Sequence, residues 1–219
     1  MGGLLVAVLA AGAWAWNSNP IRLRDRIFPR NLAVVYDGFL YRSGQIDANL
    51  VESTLRDLGV DVIVDLTRDY GESDAGQWRE ARYAEREGIQ RGVYPLRGSG
   101  TGEVKQFVAA VAAIARAEDQ GLTVLVHCRA GDRRSSAVVA TYQLLVRGEP
   151  PARAHIELGR FARNDYDRLA KFLDVHMREI AEGLVREGVL SKVPNPLPQL
   201  ADTTQAEIAR ERGRLRAGS

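Results

Sequence analysis

Apolar and polar positions divide the chain into three regimes. Residues 2–16 carry no charge at all. From residue 33 onward, short β-branched runs alternate with segments in which apolar residues recur every three or four positions. Beyond residue 193 prolines and then charges replace them.

The middle regime predicts most of the fold. Residues 33–36 and 39–42 flank Asp37-Gly38, a two-residue hairpin signal. Asp47 is placed to cap a helix carrying Leu50, Leu55 and Leu58 on one face and ending at Gly59. Residues 60–66, VDVIVDL, read as a buried strand. Residues 77–87 read as a charged helix stopped by Gly88, and 89–96 as another strand. A glycine-rich loop, 97–102, leads into a helix over 103–118 with Val104, Phe107, Val108, Val111 and Ile114 on its inner face. Residues 122–127, LTVLVH, form the next buried strand, and helices follow over 135–146 and 166–187. Trp78 and Phe161 are expected in the core. The alternation predicts an α/β fold, with a mainly parallel central sheet of four to five strands flanked by helices on both faces.

The ends read differently. The run at 2–16 is shorter than the roughly 20 residues that comfortably span a bilayer, and no Lys or Arg precedes it. Trp14 and Trp16, followed by Asn-Ser-Asn-Pro, have the pattern of an interfacial belt and exit turn. A signal-anchor, a cleaved signal peptide and an apolar helix docked on the protein all fit; membrane association through residues 2–16 is the favoured expectation. The chain is then anchored by one N-terminal segment or exported. Arg22, Arg24, Arg26 and Arg30 would hold the domain in the cytoplasm by the positive-inside rule, and positive charges upstream of a mis-assigned start would reverse that side. The expected division is 1–16 anchor or signal, 17–30 linker, 31–192 folded domain, and 193–219 a proline-rich linker with a polar, exposed C-terminal helix opened by a Thr204–Glu207 capping box.

Composition narrows the chemistry. A net charge of +2 over 219 residues gives no footprint for nucleic acid. One cysteine allows no internal disulfide and no multi-cysteine metal site, and the three histidines have no paired-ligand spacing. No cofactor or metal is expected, and the oligomeric state stays open.

The informative segment is His127-Cys-Arg-Ala-Gly-Asp-Arg-Arg-Ser135, between a buried strand and a helix start. A tight loop there aims successive backbone N–H groups inward as an anion nest, and the helix N-terminus adds positive potential. That field makes Cys128 a thiolate near neutral pH. Arg134 closes the loop and can grip two oxygens of an oxyanion with its fork. Gly131 lets the backbone pass close to the anion. Ser135 can hydrogen-bond the sulfur, and His127 supports the cysteine from below. Arg129 and Arg133 fit either solvated side chains or a basic rim.

This spacing resembles the signature of the protein tyrosine phosphatase superfamily: His-Cys, five residues, then Arg and Ser or Thr. The segments LYRSGQ (40–45), VIVDLTR (62–68) and FLDVHMREIAEGLVREGVL (172–190) resemble its bacterial dual-specificity-like branch, and the resemblance covers about 34–190. It implies that 31–192 is a phosphatase domain in which Cys128 is the nucleophile and Arg134 the phosphate ligand. The substrate cradle would be the backbone of Arg129, Ala130, Gly131, Asp132, Arg133 and Arg134. Substrates would be a phosphorylated protein or a small phosphate ester, phosphotyrosine first, then inositol phosphates or phosphoinositides.

The sequence departs from the family at the general acid. The family places an Asp some thirty residues before the cysteine, but no Asp occurs here between Asp74 and Asp119. Asp132 within the cradle and Glu103 just after the glycine-rich loop are the alternatives, Asp132 first. Two other functions compete. Residues 128–133 also spell the shorter CRxGxR loop of rhodanese-like sulfurtransferases, with Arg133 closing it. The missing Asp also suits a phosphate-binding pseudophosphatase.

Overall fold

The computed structural model describes residues 23–161 and 166–217. The hairpin forms where Asp37-Gly38 predicts it: β1 (Ala33–Tyr36) runs antiparallel to β2 (Leu40–Ser43), and Gly38 takes the left-handed φ of 69°. Three further strands, β3 (Val62–Asp65), β4 (Gln90–Val93) and β5 (Val124–His127), complete a sheet of order β1-β2-β5-β3-β4. All pairings beyond the first are parallel. Only four residues of each apolar run pair; the flanking residues turn into the helices.

Among the described residues seven α-helices surround the sheet: α1 (Val51–Asp57), α2 (Ala75–Glu87), α3 (Val104–Asp119), α4 (Arg133–Leu145), α5 (Pro151–Gly159), α6 (Tyr166–Arg186) and α7 (Gln205–Ala217). The expected α/β layering is present. On one face α3, α4, α5 and α6 bury Phe107, Ile114, Val138, Tyr142, Leu158, Leu173 and Met177 against Leu40, Val64 and Val126. On the other, α1 and α2 bury Val51, Leu55 and Tyr83 against Ile63 and Leu125. Alternate residues of β3 and β5 thus serve opposite cores, which is why both strands read as continuous apolar runs.

Several expectations are corrected. Asp47 does not cap α1: its carboxylate accepts the Asn49 N–H at 3.1 Å, and Leu50 stands at the cap. Asp74 caps α2 instead, accepting from Gln77 N at 3.1 Å. Trp78 is 41% exposed rather than core. Helix α5 was not expected, although Pro151 in its first turn is a recognisable start. The C-terminal helix forms its capping box, with Thr204 N–H on Glu207 Oε2 at 2.7 Å and Glu207 N–H on Thr204 Oγ1 at 3.2 Å. It is docked rather than free: Ile208 and Glu211 are buried, and α7 packs on α5. The linker before it is held by Asp174, which accepts the N–H groups of Leu200 and Ala201 at 2.7 and 2.8 Å. Residues 23–30, expected as linker, include a 3-10 turn at Leu23–Arg26 and join the domain through Arg30 O, which accepts Gly44 N–H at 2.7 Å. Among the described residues no helix is long and apolar enough to cross a membrane; residues 2–16 lie outside them.

Candidate active site

The carboxyl ends of β2, β5 and β3 converge, as expected for a ligand site in an open parallel sheet. The turn from β5 to α4 carries residues 128–132. Gly131 makes that turn possible: its φ is 68°, and a Cβ there would lie 2.3 Å from Gly44 N and 2.6 Å from Ser43 C. No other residue fits. The turn folds back over Cys128, which is 1% exposed, and Gly131 N–H points at Cys128 Sγ at 3.2 Å. Ser135, in the first turn of α4, places its hydroxyl 3.7 Å from the same sulfur.

The carbonyls of residues 129–132 are tied outward. Arg129 O accepts Gln45 N–H at 3.2 Å, and Ala130 O accepts Asn31 Nδ2 at 2.8 Å. Gly131 O accepts Arg42 Nη2 at 2.6 Å, and Asp132 O accepts the Ser136 hydroxyl and, more weakly, Arg42 Nη2 at 3.4 Å. In a planar trans peptide the carbonyl and the next N–H point opposite ways. Tying these oxygens out therefore turns the N–H groups of Ala130, Gly131 and Asp132 toward the interior of the loop.

Arg42 is the centre of this arrangement. It is fully buried at the end of β2, a position for which the sequence allows reach into the pocket but favours a structural role at the strand end. Its guanidinium also donates to Ser135 Oγ at 2.9 Å and Ser136 Oγ at 2.7 Å, pairs with buried Glu157 of α5, and lies 5.0 Å from the Phe161 ring. Deleting one partner of such a pair costs about 3–5 kcal/mol, because the other charge is left buried.

The charges beneath the loop decide the state of the sulfur. Burial alone pushes the Cys128 thiol up, but the Arg134 charge, the N–H groups of Ser135 and Gly131, and the Ser135 hydroxyl together hold it below its ordinary value. Arg134 Nη1 donates to Leu66 O at 3.3 Å, just beyond β3. His127 is fully buried behind the cysteine. Burial disfavours its imidazolium, yet Glu80, Asp65 and the Cys128 thiolate outweigh burial and raise its pKa to about 9. Its Nε2 lies 3.1 Å from Glu80 Oε1 and 3.9 Å from Asp65 Oδ1. Arg91 closes the cluster, donating to Asp65 Oδ2 at 2.6 Å and Glu80 Oε1 at 3.0 Å. Thr67 and Gln77 supply Asp65 with further hydrogen bonds at 2.6–2.8 Å. Asp65, Glu80 and His127 are close enough to suggest a metal centre. Arg91 holds one oxygen of each carboxylate and His127 carries the second positive charge, so the cluster is an internally neutralised ion network.

The remaining predicted residues divide. Asp132 stands at the start of α4, its carboxylate accepting Arg133 N–H at 2.7 Å. Glu103 is exposed and pairs with Lys105 at 2.9 Å. Arg129 is exposed and pairs with Asp74 at 2.9 Å; Arg133 is exposed with no acidic partner among the described residues. Asp69 accepts Gly71 N–H at 2.9 Å, a local turn, whereas Arg160 reaches across to β1, donating to Val34 O at 2.9 Å, and lies 3.6 Å from Glu157. Arg163 and Asn164 lie outside the described residues. Asn31, Gln45, Glu80, Arg91 and Glu157 were not singled out from the sequence. Only Gln45 sat within a quoted motif.

Residues 40–172 match the family model described as dual specificity phosphatase, catalytic domain. No curated protein sequence matches the chain significantly. Among solved structures, P. aeruginosa TpbA aligns with a TM-score of 0.54 at 20% identity, over 73% of this chain and 91% of that one. The core catalytic domain of the PP-IP phosphatase SIW14 from S. cerevisiae gives 0.54 at 18% identity, over 78% and 97%. PTPMT1 gives 0.54 at 17% identity, over 72% and 98%. At these identities the likeness is one of fold.

Two outcomes follow from the geometry. Arg42→Lys keeps a cation but loses the planar fork; kcat/KM should fall about a hundredfold, the scale of a misplacement near 1 Å. The pH midpoint for alkylation of Cys128, the only cysteine, should move up in the same variant. A folded Arg42→Lys with an unshifted alkylation profile would show that the loop does not need the fork. The second concerns His127. Its pKa is higher folded than unfolded, so its stabilisation is complete below about pH 6.5 and is lost as pH rises through about 9. The lowered Cys128 thiol acts oppositely, with stabilisation that is present above the unfolded thiol pKa and lost as pH falls. In Cys128→Ser the thiol contribution is gone and Glu80 and Asp65 still raise the imidazole, so the urea midpoint should fall as pH rises above 6.5. A flat profile there would contradict a charged His127.

Proposed function

The chain belongs to the dual specificity phosphatase family, a family of phosphoric monoester hydrolases, and we propose that it works through a phosphocysteine at Cys128. The observation that supports this most directly is the outward anchoring of the loop carbonyls around a buried, stabilised thiolate.

The reaction is two in-line displacements. Cys128 Sγ attacks phosphorus as the ester P–O bond breaks, and the leaving oxygen takes a proton. Water then attacks the phosphocysteine, the S–P bond breaks, and the thiolate returns. The inward N–H groups and Arg134 hold the charge on the equatorial oxygens, which is the largest catalytic contribution of such a site. The Ser135 hydroxyl, 3.7 Å from the sulfur, stabilises the thiolate as it leaves in the second step. Arg134, not Arg133, is the guanidinium that acts on the sulfur. That supports the longer phosphatase loop over the rhodanese-like one.

The leaving-group proton is the weak point. Glu103 points to Lys105 at the surface, whereas Asp132 lies in the loop itself. We assign Asp132 the role of acid, at the expense of its cap on α4. An acid committed to a cap serves poor leaving groups badly, so phosphotyrosine, with its phenolic oxygen, is the substrate class most compatible with the site. P. aeruginosa TpbA has been seen in complex with pTyr and PTPMT1 with PI(5)P, so the shared fold admits either class.

Steady-state assays with an aryl and an alkyl phosphate test this reading. Cys128→Ser should reduce both rates to background, and wild-type-like turnover in that variant would rule the mechanism out. Asp132→Asn, which can still cap a helix, should leave the aryl rate nearly unchanged and lower the alkyl rate about a hundredfold. Glu103→Gln should change neither; the reverse pattern would move the acid to Glu103.

A further inference from the structure

Ile27 and Phe28 are adjacent, 50% and 58% exposed, and follow directly on a 3-10 turn at the start of the described chain. Arg24 and Arg26 beside them are exposed, with no acidic partner among the described residues. The one acid of the segment, Asp25, faces Arg30 at 3.7 Å. An apolar pair flanked by unpaired arginines, with its only carboxylate internally neutralised, is what an anionic bilayer surface accommodates. Apolar side chains enter the headgroup boundary while the guanidinium groups stay among the phosphates.

Chain length places such a surface within reach. The uncharged run that ends at Trp16 is the segment expected in the membrane, and only six residues separate Trp16 from Leu23. The seven Cα-to-Cα steps between them span at most ~25 Å. A domain tethered that closely presents its nearest exposed face to the bilayer, and that face contains Ile27 and Phe28. Covering of the patch by residues 2–16 folded back would satisfy the apolar pair but leave both arginines unpaired, because that run holds no acid.

We propose that Arg24, Arg26, Ile27 and Phe28 form a docking surface for an anionic lipid bilayer. The surface is fixed to the catalytic loop. Ile27 and Phe28 N–H groups bond Arg24 O at 3.0 and 2.9 Å, Arg30 O holds Gly44, and Asn31 holds Ala130 O. Docking therefore holds the phosphate loop beside the headgroup layer, independently of which ester it hydrolyses.

The single cysteine makes the test direct. In the full chain carrying Cys128→Ser, Phe28→Cys and, separately, Val175→Cys on α6 (78% exposed in the native chain) are labelled with an environment-sensitive fluorophore. The chains are reconstituted into vesicles of phosphatidylcholine with phosphatidylglycerol, or of phosphatidylcholine alone. The label at 28 should shift to the blue and be quenched by brominated acyl chains in the anionic vesicles. The label at 175 should stay water-like. Adding Arg24→Ser and Arg26→Ser should lower the ratio of docked to undocked signal about tenfold or more, as should high salt. Three results would each overturn the proposal: a label at 28 that stays water-like on vesicle-bound chain, one already shielded before vesicles are added, or a chain that does not associate with vesicles. The second would assign the patch to residues 2–16 or to a protein partner. None of these readings uses turnover, so the catalytic assignment stands or falls separately.

Discussion

An N–H can point into an anion pocket only if the carbonyl of the same peptide plane points out, and buried oxygens pointing out need partners. In the turn after β5 the partners are Gln45, Asn31, Arg42 and the Ser136 hydroxyl. Without them the oxygens would compete for the interior, and the loop would present mixed dipoles to an incoming oxyanion. Arg42 dominates because one rigid fork spans Gly131 O, Ser135 Oγ and Ser136 Oγ, joining the loop to the helix it opens. Glu157 compensates the charge that this requires in a fully buried place, so α5 is part of the site although it touches no substrate.

A second set of charges lies behind the cysteine. Two buried carboxylates close to a thiolate would, alone, oppose its ionisation. Arg91 and the His127 imidazolium neutralise Asp65 and Glu80, and the imidazolium presents positive charge to the sulfur. Asp65 keeps its carboxyl below the usual range despite burial, through His127, Thr67 and Gln77. The sulfur therefore sees Arg134 and loop amides in front and an imidazolium behind. Each arrangement alone would stabilise it less.

Much of this was legible in the sequence, and the exceptions have a common cause. Strands β3 and β5, the hairpin, helices α2, α3, α4 and α6, and the Cys128–Arg134 loop all leave local signals: β-branched runs, a turn dipeptide, apolar spacing and a spaced motif. Asn31, Glu80, Arg91 and Glu157 leave none, because each meets the site across a long stretch of sequence. Arg42 was visible as part of LYRSGQ, yet its burial was not, since an arginine at a strand end is usually solvated. Trp78 was placed in the core on residue type alone, but it projects from α2 on the solvent side. The tail was read as free because α7 has few apolar residues. Ile208, buried Glu211 and the Asp174 clamp are enough to dock it.

The missing loop acid also has a structural reading. The segment where the resemblance places an Asp closes on itself, with Arg97 N–H on Thr101 O and Gly100 N–H on Arg97 O, both at 2.9 Å. At its apex Gly100 has a φ of 86°, and a Cβ there would sit 3.0 Å from the Arg133 Cβ and 3.1 Å from Leu169 Cδ1. The apex is packed against the loop after β5, so position 100 cannot project a carboxylate, whereas a side chain at Gly98 would meet open space and it is only the sequence that supplies no acid there. On the proposed assignment, proton delivery falls to Asp132, whose place in the loop after β5 is set by its cap on α4. A site with that assignment would stabilise charge strongly and transfer protons poorly, so the leaving group's own basicity would set how fast it turns over.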